Sequence, residues 1–174
     1  VYRSKDFILM DVIDVNGKRL GYINDLLIDF NKRKVIGFNI STSSFFKKDL
    51  NVMNENIVSY NSAMVITEAV KGMFLQFKNI KGMDARDKKG TIVGMVEDIL
   101  FEEENFSIKA LIISTGFITN FISGKKIVLI NQLVLGEENL LYNWQNEHLN
   151  FSSIPHKLFM EEDLDERNKK KKTI

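Results

Sequence analysis

The sequence predicts an all-β chain of two tandem, small six-stranded β-barrels, followed by a short C-terminal strap and a charged tail. Three observations predict it. The chain repeats itself at a long period, each copy carries strand and turn signals in the same order, and helical periodicity is weak throughout.

The repeat is found by sliding the sequence over itself by 73 positions, which lays Met10–Asp29 on Met83–Glu102. Identities fall at Met10/Met83, Asp11/Asp84, Asp14/Asp87, Gly17/Gly90, Gly21/Gly94, Asp25/Asp98 and Leu27/Leu100, and resume at Ile40–Thr42 against Ile113–Thr115. Beyond Thr42 the offset becomes 76, so that Ile57-Val58 meets Leu133-Val134 and Met64–Ile66 meets Leu140–Tyr142. The three-residue difference is placed in a loop. A period this long implies tandem domains rather than a solenoid, with boundaries read at residues 1–73 and 74–144 and the strap and tail at 145–174.

Within the first copy, Asn16-Gly17 reads as a type I′ hairpin turn, because Asn and Gly adopt positive φ most cheaply; Lys89-Gly90 keeps the glycine in the second. Lys18 to Asp29 then reads as a strand rich in Leu, Ile and Tyr, closed by a polar turn at Asn31–Lys34. Val35 to Ser41 returns as the next strand, and short strands follow around Val52, Ile57 and Met64–Ile66, giving about six per copy. Alternation fails at Leu26-Leu27-Ile28 and at Ile99-Leu100-Phe101. Apolar residues on both faces, or a bulge, are therefore expected there, one face filling a barrel and the other packing on the second copy. Mutual packing suits copies of this size, since about 70 residues rarely bury a sufficient core alone.

Composition narrows the function classes. Hydrophobic residues make up 44% of the chain and cysteine is absent, which removes disulfides, thiolate metal sites and a cysteine nucleophile. No run approaches the ~18 apolar residues of a spanning helix, and no signal peptide is read at the N-terminus, so a cytoplasmic location is expected. Residues 1–74 carry ten basic and eight acidic side chains and residues 75–150 eight and ten, a balance that makes nucleic-acid binding an unfavoured expectation. Only the tail is polarised, with acids from Glu161 to Glu166 followed by Arg167 and Lys169–Lys172.

The order Gly, three residues, Gly, three residues, acid, apolar triplet, charged turn and apolar strand occurs twice. GKRLGYINDLLID with VIGFNIS, and GTIVGMVEDILFE with IKALIIS, resemble the PRC-barrel family over roughly residues 4–67 and 77–143. That family includes the cytoplasmic domain of the H polypeptide of the photosynthetic reaction centre, the C-terminal domain of the ribosome maturation factor, and small proteins of spore-forming bacteria. The tandem arrangement is most similar to the stand-alone bacterial type. The resemblance implies a non-catalytic adaptor that binds a protein partner and touches the membrane surface peripherally; the alternative it implies is an RNA-linked role in ribosome maturation.

No catalytic apparatus is read. Asp25 and Asp98 lie within apolar strands, but one acid per copy, with no second acid or base converging on it, reads as a structural acceptor of backbone N–H groups. Asp11/Asp14 and Asp84/Asp87 flank the first hairpin as turn residues. Gly17, Gly21, Gly90 and Gly94 lack the Lys-Ser/Thr of a P-loop and the helix of a dinucleotide site, so they serve turns and close packing. His148 and His156 have no ligand or triad partners in sequence, and neither a metal nor a cofactor is expected. Trp144 reads as an anchor of the strap, which also holds Pro155. The candidate partner-binding site is the mid-copy loop, where Phe45, Phe46, Lys47 and Lys48 in the first copy and Phe117, Ile118 and Phe121 in the second place aromatic and apolar side chains where a turn has no need of them.

Overall fold

The computed structural model describes residues 1–42, 50–116, 124–142 and, as backbone, 152–154. The strands are β1 (Tyr2–Arg3), β2 (Asp11–Asp14), β3 (Arg19–Asp29), β4 (Lys34–Ser41), β5 (Leu50–Met53), β6 (Ile57–Tyr60), β7 (Ala63–Ile66) and β8 (Val70–Lys71). The second copy supplies β9 (Asp84–Arg86), β10 (Ile92–Phe101), β11 (Ile108–Ser114), β12 (Lys125–Leu129), β13 (Leu133–Leu135), β14 (Asn139–Tyr142) and β15 (Ser152–Ile154). Helical structure among the described residues is confined to single 3-10 turns, at Ser4–Asp6, Asn54–Asn56, Phe77–Asn79 and Ile130–Gln132.

The chain folds as two sheets. Their orders, β6-β7-β2-β3-β4-β5-β8 and β13-β14-β9-β10-β11-β12-β15, share one six-strand unit, to which β8 and β15 each add an edge. In both units β2 and its counterpart β9 pair in parallel with the last strand of the unit and antiparallel with the next strand in sequence. The apolar triplets lie in β3 and β10, and register shifts fall between Ile23 and Asp25 and between Leu27 and Ile28, matched by shifts between Val96 and Asp98 and between Leu100 and Phe101. Leu26 and Ile28 join the main core while Leu27, whose backbone bridges to Gln76, is buried outside it, so β3 is covered on both faces.

The first hairpin differs from the type I′ expectation. Gly17 (φ +80°) and Gly90 (φ +81°) have positive φ, whereas Asn16 and Lys89 do not. The Gly17 N–H donates to the Asp14 carbonyl and the Asp14 N–H to the Lys18 carbonyl, and Asp87, Gly90 and Thr91 repeat the pattern. This is a type I turn closed by a left-handed glycine. The aspartate decides the choice: the Asp14 carboxylate accepts the Asn16 and Lys18 N–H groups, and Asp87 those of Lys89 and Thr91.

The sheets do not divide where the repeat divides. β1, from the first copy, pairs with β10 of the second, Arg3 facing Leu100; 73 positions on, Gln76 bridges to Leu27 of β3. Each copy therefore lends its leading segment to the other. Across the same boundary the Val35 N–H donates to the Phe106 carbonyl and the Ile108 N–H to the Arg33 carbonyl, around a bridge between Lys34 and Ser107. These residues are equivalent under the 73-residue offset, so the two copies are related by a pseudo-twofold axis that passes through their β3–β4 and β10–β11 turns. Arg33 (φ +54°) and Phe106 (φ +56°) share even the same left-handed backbone. One apolar core follows, joining Phe7, Phe38, Ile40 and Met64 of the first copy with Val96, Phe101, Ile113 and Leu140 of the second.

Candidate functional site

The two buried acids are spent on the exchange of segments. Asp98 accepts the Ser4 hydroxyl at 2.5 Å, the Ser4 N–H at 3.2 Å and the Ile99 N–H at 2.9 Å, and Arg3 reaches its other oxygen through Nε (2.9 Å) and Nη2 (2.8 Å). Asp25 accepts the Leu26 N–H at 2.8 Å and the Lys78 N–H at 3.0 Å. In each copy the acid thus ties down the leading segment of the other. Gln76 stands at the position of Arg3, so Asp25 lacks the guanidinium that Asp98 has. Burial raises the Asp25 carboxyl above the ordinary aspartate value, opposed by the N–H groups of Lys78 and Leu26.

A carboxyl raised on folding contributes stability that is complete below its unfolded value and is lost as pH rises through its folded value. The unfolding free energy of wild type measured against Asp25→Asn is therefore expected to shift in favour of wild type as pH falls from about 7 to about 4. Urea titrations across that range check it, and a pH-independent difference would show that Asp25 titrates alike in both states.

The repeated glycines serve close approach as well as turns. A Cβ on Gly94 would lie 2.6 Å from the Ser114 carbonyl oxygen and 2.6 Å from Ile113 Cγ2, and one on Gly21 would collide with the Ser41 carbonyl. No phosphate-cradling geometry is built from them: Gly21 is in the interior of β3 and Gly94 in that of β10. The loop residues Phe45, Phe46, Lys47, Lys48, Phe117, Ile118 and Phe121 lie outside the described residues, as do Trp144, His148, Pro155 and His156. Among the described residues, no group of three or more His, Cys, Asp or Glu side chains is placed to hold a metal ion. No helix among them is long and apolar enough to cross a membrane.

Two surfaces stand out that the sequence did not single out. The first is the outer face of the second sheet, where the strand registers line up Val134, Leu141, Arg86 and Ile92 in one cross-strand row, with Met95 in the next. Val134 (48% exposed), Leu141 (49%), Ile92 (51%) and Met95 (49%) leave half of their surface in water. Arg86 in their midst is held by Asp84 and Asn139. The corresponding row of the first sheet reads Ser59, Val65, Ile13 and Arg19 and is more polar at its ends.

The second surface is a cleft of about 610 Å³ between the copies, floored by Ile28, Phe30, Ile36, Leu75, Leu133 and Leu135 and edged by Asp29, Asn31, Arg33 and Val134. Its Asp29 carboxylate is occupied, accepting the Lys32 N–H and pairing with the Lys32 ammonium, which keeps it below the ordinary aspartate value. Val134 belongs to both surfaces, so the apolar row runs into the cleft.

The PRC-barrel domain family model matches twice, over residues 1–74 and 73–132. A search of the curated proteins returns no match. With its two sheets built on one six-strand unit, and two matches covering most of its length, the chain belongs to the PRC-barrel domain family as a tandem protein.

Proposed function

We propose that the chain is a non-enzymatic protein-interaction scaffold, an adaptor that presents the outer face of its second sheet to a protein partner. The observation that supports it is the half-exposed apolar row Val134, Leu141, Ile92 with Met95, on a sheet whose interior is already filled. Four large apolar side chains gathered on one face are costly to leave in water and are the usual core of a binding patch. The buried acids, the residues best suited to catalysis by type, are engaged in tying one copy to the other.

Affinity purification from the native cell extract tests the reading, comparing wild type with Ile92→Ser, Leu141→Ser. Both positions are half exposed, and the melting temperature is expected to move by no more than about 3 °C. A specific protein held by wild type and lost with the variant supports the adaptor. Recovery of small ribosomal particles, with binding that falls steeply as salt rises, supports the RNA-linked alternative instead. The peripheral membrane contact implied by the family is checked by co-sedimentation with anionic phospholipid vesicles.

A further inference from the structure

The pseudo-twofold axis gives the molecule two equivalent grooves, and only one is filled. Around the first, Tyr2, Tyr60, Phe101 and Phe106 pack ring on ring, with centroids 6.0 Å apart for Tyr2 and Phe101, 6.1 Å for Tyr2 and Tyr60, and 6.0 Å for both Tyr60 and Phe101 against Phe106. The 73-residue offset carries Tyr2, Phe101 and Phe106 onto Leu75, Ile28 and Arg33. Tyr60 pairs with Met64 as Leu135 pairs with Leu140, which makes Leu135 its counterpart. Four aromatic rings in one groove are thus three aliphatic side chains and an arginine in the other. The missing volume is the cleft.

The polar groups are exchanged in the same way. In the filled groove the Tyr2 hydroxyl bonds Glu103, which holds the phenol well above its ordinary value; in the open one Leu75 and Phe30 stand in those places. The β10–β11 turn is acidic, with Glu102, Glu103 and Glu104, while its counterpart turn carries Lys32, Arg33 and Lys34. Lys32 is paired with Asp29. Among the described residues the exposed Arg33 guanidinium has no ion-pair partner, and it stands at the edge of an apolar cleft. An arginine in that setting matches a carboxylate, which it can hold by two parallel hydrogen bonds.

We propose that this open groove is a docking site for a segment of a partner protein that carries an aromatic side chain beside an acidic one. The ring takes the space that Tyr2 and Tyr60 fill in the twin groove, between Leu75 and Leu135, and the carboxylate pairs with Arg33. The cleft is not enclosed, and Val134 of the edge strand β13 lines both it and the apolar outer face, so it suits a length of chain rather than an enclosed small molecule. An aromatic anchor seated in a pocket with one charged pair at its border is the usual energetic centre of such a contact. The site rests on the reading of the chain as a partner-binding module and specifies the chemistry of the partner.

The test uses the full chain and a random seven-residue peptide library displayed on phage. Panning on wild type is compared with panning on Arg33→Phe, Leu75→Tyr, Leu135→Tyr, which gives the open groove three of the four rings of the filled one and leaves Ile28 in place; circular dichroism and melting confirm its fold. Sequences enriched on wild type alone are expected to share an aromatic residue within two or three positions of Asp or Glu, and the synthetic consensus peptide is expected to bind Arg33→Gln at least fivefold more weakly. Arg33 is exposed, so this variant keeps its fold even if the triple variant does not. The proposal is overturned if no family of sequences separates wild type from the filled variant, if the family lacks the aromatic or the acid, or if Arg33→Gln binds unchanged. Arg33-dependent binding to anionic vesicles without peptide enrichment overturns it in favour of a lipid surface. A native partner captured equally by wild type and the filled variant leaves the adaptor reading standing and removes this groove from it.

Discussion

Asp98→Ala is expected to lower the stability of the whole chain by about 3 kcal/mol, or a melting point about 10 °C lower for a protein of this length. The loss arises on the far side of the repeat boundary. Removing the carboxylate strips the acceptor from the Ser4 hydroxyl, the Ser4 N–H and the Ile99 N–H and leaves the Arg3 guanidinium facing a buried position. Each deserted donor costs about 1 kcal/mol or more when water cannot replace its partner. The guanidinium is discounted, because its side chain is 28% exposed against 8% for Asp98 and can turn partly to solvent. Arg3→Gln, which copies the residue found at position 76, is expected to cost less, about 1 kcal/mol, since Ser4 and Ile99 keep their acceptor. Urea unfolding of both variants measures the difference at constant slope. A loss below about 1 kcal/mol for Asp98→Ala would mean that β1 is held by packing alone.

The two copies and their packing on one another were legible in sequence, while the exchange of leading segments between them was not. Identities at Gly17/Gly90, Gly21/Gly94 and Asp25/Asp98 report local demands: a left-handed turn residue, a contact too close for a Cβ, and a carboxylate among N–H groups. The turn glycine answers to its neighbours in the chain and the other two to contacts that both copies make alike, so all three recur wherever the unit recurs and a single sequence displays them. The apolar triplet in β3 likewise announced apolar residues on both faces or a bulge, and all three residues are buried. What the repeat cannot state is which copy a given segment serves. Tyr2-Arg3 and Gln76 occupy the same place in their repeats whether they pair within a copy or across to the other, and only the sheets show that they cross.

The open groove was hidden for a related reason. Matching positions draw the eye to what two copies share, whereas the groove is made by what they do not: Leu75 for Tyr2, Leu135 for Tyr60, Arg33 for Phe106. Read down the aligned copies, the changes from Tyr2 to Leu75, Phe101 to Ile28 and Phe106 to Arg33 were a usable signal, but with Leu135 they become one surface only when the pseudo-twofold axis brings β3, β13, a turn and the segment after β8 together. The hairpin departs from type I′ for a reason closer in the chain. Asn-Gly favours type I′ by itself, and the carboxylate of Asp14 two residues earlier redirects it by accepting two N–H groups.

Phe7→Ala tests the shared core at its centre and carries the largest expected loss, about 4 kcal/mol. Phe7 is 1% exposed and sits against Tyr2 (5.1 Å between centroids), Phe38 (4.7 Å), Tyr60 (5.5 Å), Phe101 (5.7 Å) and Phe106 (6.5 Å). Three of those rings come from its own copy and two from the other. Truncation forfeits the transfer of a whole ring and its edge and face contacts, and the surrounding rings, fixed by two sheets, cannot collapse into the space. Phe7→Leu restores most of the volume without the ring geometry and is expected to cost about half as much. The form of the transition matters as much as its midpoint. Because one core joins both copies, calorimetry of wild type and of Phe7→Ala is expected to give a single transition with equal calorimetric and van't Hoff enthalpies. Two transitions, only one of them displaced by Phe7→Ala, would mean that each copy folds on a core of its own and that the exchanged segments merely dock.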